Sequence, residues 1–214
     1  MKKLLVGGVL AILTASLSAC STTTKPESNA ACQYKSSKAA ARDVDKPAGD
    51  APTGMVGLRL TTSAGDIDLD LNADQAPCTV NSITHLAKQG YFDNTVCHRL
   101  TNSGIFVLQC GDPTGSGSGG PGFSFADEYP VGTVEKGLYK AGTIAMANAG
   151  PDTNGSQFFL NYEDSPLPPN YTLFGTMTPE SLQVVRSIAA KGTATGAGDG
   201  APAEEVTIQK AEVK

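Results

Sequence analysis

Cys97 and His98 stand side by side, a thiol nucleophile and an imidazole base by type, with the guanidinium of Arg99 next in line. Acyl transfer would need the first two to meet, and neighbouring residues of an extended strand point to opposite faces. The chain has one other histidine, His85, and no G-x-S-x-G elbow to present a serine. Metal chemistry is no better served, because no three His, Cys or carboxylate ligands recur at a metal-binding spacing. Gly115-Ser116-Gly117-Ser118-Gly119-Gly120 spells the G-x-G-x-x-G of a dinucleotide site. Asp112-Pro113 precedes it, Pro121-Gly122 follows, and no lysine stands where a phosphate loop needs one, so it reads as a flexible Gly/Ser loop. Asn154-Gly155-Ser156 is a sequon of the kind that arises by chance. It lies within Asn148 to Phe159, NAGPDTNGSQFF, where small polar turn formers end in two phenylalanines.

The elements that must position these residues begin after a leader. Lys2 and Lys3 followed by the apolar run Leu4 to Leu13 read as a signal peptide over residues 1–19, too short to span a bilayer. Leu17-Ser18-Ala19-Cys20 resembles a bacterial lipobox, so Cys20 is the expected lipidation site and the protein is expected outside the cytoplasm, anchored to the cell membrane. Two or three acyl chains on such a cysteine hold stably where one would not. Residues 20–54, with Cys20 at their head, are Ser, Thr, Pro, Ala, Lys and Asp-rich without apolar periodicity and read as a flexible tether. Met55 to Lys214, roughly 160 residues, suffices for one domain with one core.

Sixteen basic against 21 acidic residues give a net charge of −5, and loss of Lys2 and Lys3 takes it two further, to −7. Without basic clusters, that balance excludes nucleic acid and anionic lipid surfaces as partners. Cys32, Cys78, Cys97 and Cys110 in an oxidising compartment are expected to form two disulfides, with three connectivities open. Cys97 and Cys110 flank a hairpin and can pair, which would leave Cys32 for Cys78; four buried free thiols are the alternative.

Val56, Leu58 and Leu60, then Ile67, Leu69 and Leu71, alternate with polar residues or glycine on either side of a short turn, predicting a hairpin with one buried face. Pro77 opens a helix with Val80, Ile83, Leu86 and Ala87 on one stripe, and Gly90 ends it. Strands are predicted at 96–100, 105–110, 143–146, 158–160, 172–174 and 206–213, and a second helix from Pro179 through Leu182, Val185 and Ile188. About eight short strands and two helices predict a mainly β fold, a closed eight-stranded antiparallel barrel with a helix over each end.

His98-Arg99, Phe106, Gln109-Cys110-Gly111-Asp112-Pro113, Phe125-Ala126-Asp127-Glu128 and Ala145 through Phe159 (AMANAGPDTNGSQFF) together resemble the cyclophilin pattern. The resemblance runs from Met55 to Lys214 and implies a peptidyl-prolyl cis–trans isomerase on an eight-stranded barrel. It implies that Arg99 is catalytic, hydrogen-bonding the prolyl nitrogen of the twisted amide. Phe106, Val107, Phe159 and Leu167 would hold the proline ring, with Tyr171 at the pocket edge in place of a histidine. Ala147, Asn148 and Gln157 would contact the preceding peptide, and Gln109 would help to place Arg99. Of the two phenylalanines that end the loop, Phe159 is expected to face substrate and Phe158 the core.

Isomerisation breaks no bond, so no cofactor or metal is expected. The expected partners are proline-containing peptides and unfolded exported proteins, with a monomer as the default state. A proline-peptide-binding module or holdase without turnover is the alternative, although a mere binder has no need of Arg99. Three departures stand out from the family pattern. The run Leu100 to Ile105 is longer than usual, Val107 stands where methionine is common, and Pro166 replaces a tryptophan used in cyclosporin binding, so weak cyclosporin affinity is expected.

Overall fold

The computed structural model describes residues 31–128 and 137–214. The expected signal peptide and Cys20 lie outside the described residues.

The strand β1 (Lys35–Ser36) precedes the hairpin of β2 (Met55–Thr62) and β3 (Gly65–Asn72). As their alternation requires, Leu58, Leu60, Ile67, Leu69 and Leu71 are buried, while Arg59 pairs with Asp68 on the other face. Helix α1 (Pro77–Lys88) follows, with proline in its first turn, where the missing N–H costs nothing. The chain then forms β4 (Thr95–Val96), β5 (Arg99–Thr101), β6 (Val107–Cys110), β7 (Phe123–Ser124) and β8 (Leu138–Tyr139). After these come β9 (Thr143–Met146), β10 (Phe158–Asn161), β11 (Ser165–Pro166) and β12 (Leu173–Met177). Helix α2 (Pro179–Ala190) is capped by Thr178, whose hydroxyl accepts the Ser181 N–H at 3.2 Å. Strands β13 (Asp199–Gly200) and β14 (Thr207–Val213) close the chain.

The main sheet runs β13-β5-β6-β10-β9-β12-β3-β2-β14-β4, every pairing antiparallel. It curls around one core, which includes Leu60, Leu69, Leu100, Leu108, Phe158, Leu160 and Phe174. Helix α1 packs on β14 and β3, and α2 on β3 and β12. Among the described residues the fold is therefore mainly β with two helices, as expected, but the sheet comprises ten segments and its ladder does not return on itself. The interruption lies at Cys97–His98, between β4 at one edge and β5 near the other. Cys97 is held there instead by its N–H to Val206 O at 2.8 Å and by a disulfide to Cys110.

The flexible tether is corrected from Ala31 onward, because residues 31–54 lie on the domain. Cys32 is joined to Cys78, giving the connectivity that pairs Cys97 with Cys110. β1 pairs with β7, and Tyr34 packs edge-on to Phe123 and Phe125 at 5.5 and 5.7 Å. Arg42 Nη1 donates to three carbonyls, of Gly90, Tyr91 and Asp93, at 2.8–3.0 Å. Hydrophobic periodicity misses such a segment because it docks through one aromatic ring, one disulfide and backbone hydrogen bonds, not through an apolar stripe.

Candidate functional site

Pairing register builds the site. Arg99 on β5 lies opposite Gln109 on β6, Gln109 opposite Phe159 on β10, Phe159 opposite Ala145 on β9, and Ala145 opposite Leu173 on β12. In a strand, alternate residues share a face, so this row lies on the outer side of the curl. Leu100, Leu108, Phe158, Ile144 and Phe174, their sequence neighbours, enter the core on the other side.

The row is charged at one end. Arg99 Nε and Nη2 donate to the two carboxylate oxygens of Asp199 at 2.8 and 2.6 Å, and Nη1 donates to Gln109 Oε1 at 3.3 Å. Hydrogen bonding to Asp199 raises the Arg99 pKa and holds the Asp199 carboxyl below its usual range. The chain of amides continues from Gln109 Nε2 to Gln157 Oε1 at 2.9 Å, and from Gln157 Nε2 to the carbonyls of Gly117 and Gly119 at 3.0 and 2.9 Å.

The other end is apolar. Val107, Tyr139, Ala145, Phe159 and Leu173 form a cluster separate from the core, with Ile105, Ala147, Leu167 and Tyr171 packed on it. Phe159 meets Tyr171 and Tyr139 edge-on at 5.5 and 6.1 Å. Tyr139 is locked in place, donating its O–H to Tyr171 O at 2.8 Å and accepting the Tyr171 N–H at 3.0 Å. Burial pushes its pKa up to about 12, so it stays a neutral donor.

Of the residues singled out in the sequence, Arg99, Gln109 and Gln157 thus join one polar chain, and Val107, Ala147, Phe159, Leu167 and Tyr171 join one apolar cluster. Asn148 sits beside Ala147, its side-chain amide donating to Asn170 O at 2.8 Å. Phe106 is half-buried and packs against the main core with its ring edge-on to Tyr162 at 6.0 Å, while its neighbour Ile105 packs on the apolar cluster. Asp199, Tyr139 and Leu173 were not legible as site residues. Asp199 lies 100 residues beyond its arginine in a Gly-rich turn, and the other two look like ordinary strand residues.

The Gly115–Gly120 loop carries its own hydrogen-bond network. It folds over the carboxylate of fully buried Asp112, which accepts the N–H groups of Thr114, Gly117 and Gly119 at 2.7, 2.7 and 3.0 Å and the Thr114 hydroxyl at 2.7 Å. Burial by itself would raise the Asp112 pKa, but these donors outweigh it and the net shift is downward. A Cβ at Gly119 would overlap the same carboxylate, which explains one of the glycines. His98 lies against Gly117, and both its ring nitrogens are buried without a partner. Burial depresses its pKa, Asp112 opposes that, and Arg99 adds to it. Among the described residues, no three His, Cys, Asp or Glu side chains converge as a metal site would require.

Comparison with known proteins places this geometry. A family model described as cyclophilin type peptidyl-prolyl cis-trans isomerase/CLD matches residues 57–213. A relative from Mycobacterium leprae, named probable peptidyl-prolyl cis-trans isomerase B, is 51% identical over 191 residues, covering 83% of this chain and 65% of the relative. One of the same name from Mycobacterium tuberculosis is 49% identical over 199 residues, covering 86% and 65%. The chain thus spans 65% of the length of these mycobacterial relatives. A Gibberella zeae protein named peptidyl-prolyl cis-trans isomerase-like 1 is 42% identical over 158 residues, covering 72% of this chain and 92% of its own. Among solved structures, a Cryptosporidium parvum cyclophilin type peptidyl-prolyl cis-trans isomerase superposes with a TM-score of 0.65 at 29% identity, covering 75% of this chain and 98% of that one. The same protein in the presence of the dipeptide Ala-Pro gives 0.64 at 30%, covering 74% and 98%.

Proposed function

Because the chain belongs to the cyclophilin-type peptidyl-prolyl cis–trans isomerase family, we propose that it accelerates rotation about X–Pro bonds in exported proteins. The observation that carries this reading is the row in which a tethered guanidinium adjoins an apolar cluster of proline-ring character.

The uncatalysed barrier is ~18–20 kcal/mol, because the amide C–N bond has partial double-bond character. An acceleration of about 10⁵ requires ~7 kcal/mol of binding to the twisted amide beyond that to either planar form. As the bond twists, conjugation is lost and the prolyl nitrogen gains a localised lone pair. The Arg99 guanidinium donates to that lone pair only in this state. A charged hydrogen bond contributes ~1.5–3 kcal/mol, so Arg99 alone does not suffice. The remainder comes from gripping both sides of the bond: Val107, Phe159, Leu167 and Tyr171 hold the ring, while Ala147, Asn148 and Gln157 hold the preceding peptide. Asp199 and Gln109 keep the guanidinium in plane so that its orientation is fixed before substrate arrives. No group is transferred, so the chemistry needs no nucleophile.

The lipobox at Cys20 supports a location outside the cytoplasm on a membrane, and the two disulfides fit an oxidising compartment. Residues 95–101 span from one edge of the sheet toward the other, which supports reading the curl as a barrel closed by this segment. Exchange NMR on an Ala–Pro peptide tests the activity. Enhanced cis–trans exchange with catalytic amounts of protein is expected. Binding without enhanced exchange would instead establish a proline-peptide module or holdase.

A further inference from the structure

A groove of about 440 Å³ adjoins the site and shares Gln109, Ala147, Asn148 and Gln157 with it. Its size falls in the ~300–1,000 Å³ range of ligand sites. The floor is Gly117 to Gly122, held over Asp112, and the far wall comes from the docked N-terminal segment at Ser37, Lys38 and Ala39. That wall is firmly fixed. Ser37 N–H donates to Gly122 O at 3.0 Å, Ala41 N–H to Gly120 O at 2.8 Å, and the Cys32–Cys78 disulfide and Arg42 anchor either side. Residues 37–39 precede the stretch matched by the family model, which begins at residue 57.

Among the described residues, Lys38 is the only charged side chain lining the groove, and it has no ion pair or hydrogen bond there. The other lining residues are Gly, Ala, Ser, Thr, Pro, Phe, Asn and Gln. We propose that residues 37–39 complete a specificity subsite for the peptide N-terminal to the proline, and that Lys38 makes it select an acidic side chain. The direction rests on the isomerase reading, in which Ala147, Asn148 and Gln157 hold the residues before proline. A peptide leaving the ring cluster past these residues enters the groove. There an aspartate or glutamate meets one unspent ammonium in an otherwise neutral channel, on a protein whose overall charge of −5 disfavours acidic ligands elsewhere.

The test uses two peptides that differ only in Glu against Gln at the second residue before proline. It compares kcat/KM by exchange NMR and Kd by NMR titration, with wild type and Lys38→Gln. Wild type is expected to favour the Glu peptide by about two- to five-fold at low salt, the size of an exposed ion pair. The ratio should fall to one in Lys38→Gln, and should fall in wild type at high salt. Lys38→Glu should invert it. Equal ratios in wild type and Lys38→Gln would overturn the proposal. If neither peptide is isomerised, the isomerase reading fails, while the ratio of Kd values still decides whether the groove selects acid.

Discussion

Arg99→Lys separates charge from orientation. A guanidinium carries five N–H donors. Here Nε and one Nη2 hydrogen go to Asp199 and one Nη1 hydrogen goes to Gln109, three in all, which leaves two for substrate. Lysine keeps the charge but loses the fork. An ammonium drawn to Asp199, which is about half exposed, cannot at the same time stay fixed over the ring cluster. If the two free N–H groups supply one charged hydrogen bond of ~1.5–3 kcal/mol to the pyramidal nitrogen, its loss lowers kcat/KM by about 10- to 160-fold. The loss should fall on kcat with KM nearly unchanged, because that bond is absent in the planar ground state. The assay is exchange NMR on an Ala–Pro peptide over a range of concentrations, with Arg99→Ala as the reference for complete removal. The residual catalysis of Arg99→Lys should lie close to that of Arg99→Ala. Activity within three-fold of wild type would refute the orientation argument, and a loss carried by KM alone would refute the transition-state bond.

Phe158→Ala should lower stability by ~3–5 kcal/mol, read as a fall in denaturant midpoint, because that ring is 1% exposed and packs edge-on to Phe92. Phe159→Ala removes a ring only 4% exposed and should also destabilise, but it alone should cut kcat/KM at temperatures where both variants remain folded. Because burial holds the folded-state pKa of His98 below 6.5, the unfolded chain takes up its proton first. Stability should therefore be complete above about pH 6.5 and decline as pH falls below it, and His98→Gln should flatten that part of the profile, read by thermal melts across pH 4.5–7.5. Cyclosporin should inhibit only weakly, with Pro166 exposed at the rim where the family's tryptophan would stand; a nanomolar inhibition constant would contradict this.

The hairpin, both helices and the opposite faces of Phe158 and Phe159 were legible because each depends on local periodicity. Alternation alone assigns the two rings to different faces. The grouping of Leu167 and Tyr171 with Val107 and Phe159 was legible only through the cyclophilin motif, since these two carry no pattern of their own. Phe106 packs against the main core while Ile105 and Val107, its neighbours on either side, share the apolar cluster, as alternation requires. Asp199 was hidden because its partner is fixed by tertiary register, Asp199 opposite Thr101 across β13 and β5, which no local signal encodes. The docking of residues 31–54 has no local sequence signal for a related reason. Low apolar content predicts a tether where folding depends on hydrophobic burial, but this segment is held by a covalent bond, one arginine and a strip of backbone pairing.

The row from Arg99 to Asp199 also has a temporal meaning. Its members come from positions 99, 109, 145, 159 and 173, and the carboxylate that orients the guanidinium, at position 199, is synthesised 100 residues after it. A ribosome that has released only the first 190 residues presents the arginine without its brace. The brace on the guanidinium therefore forms only after Asp199 has emerged, and a product terminated before it would lack that brace even if its β2–β3 hairpin and α1 had formed.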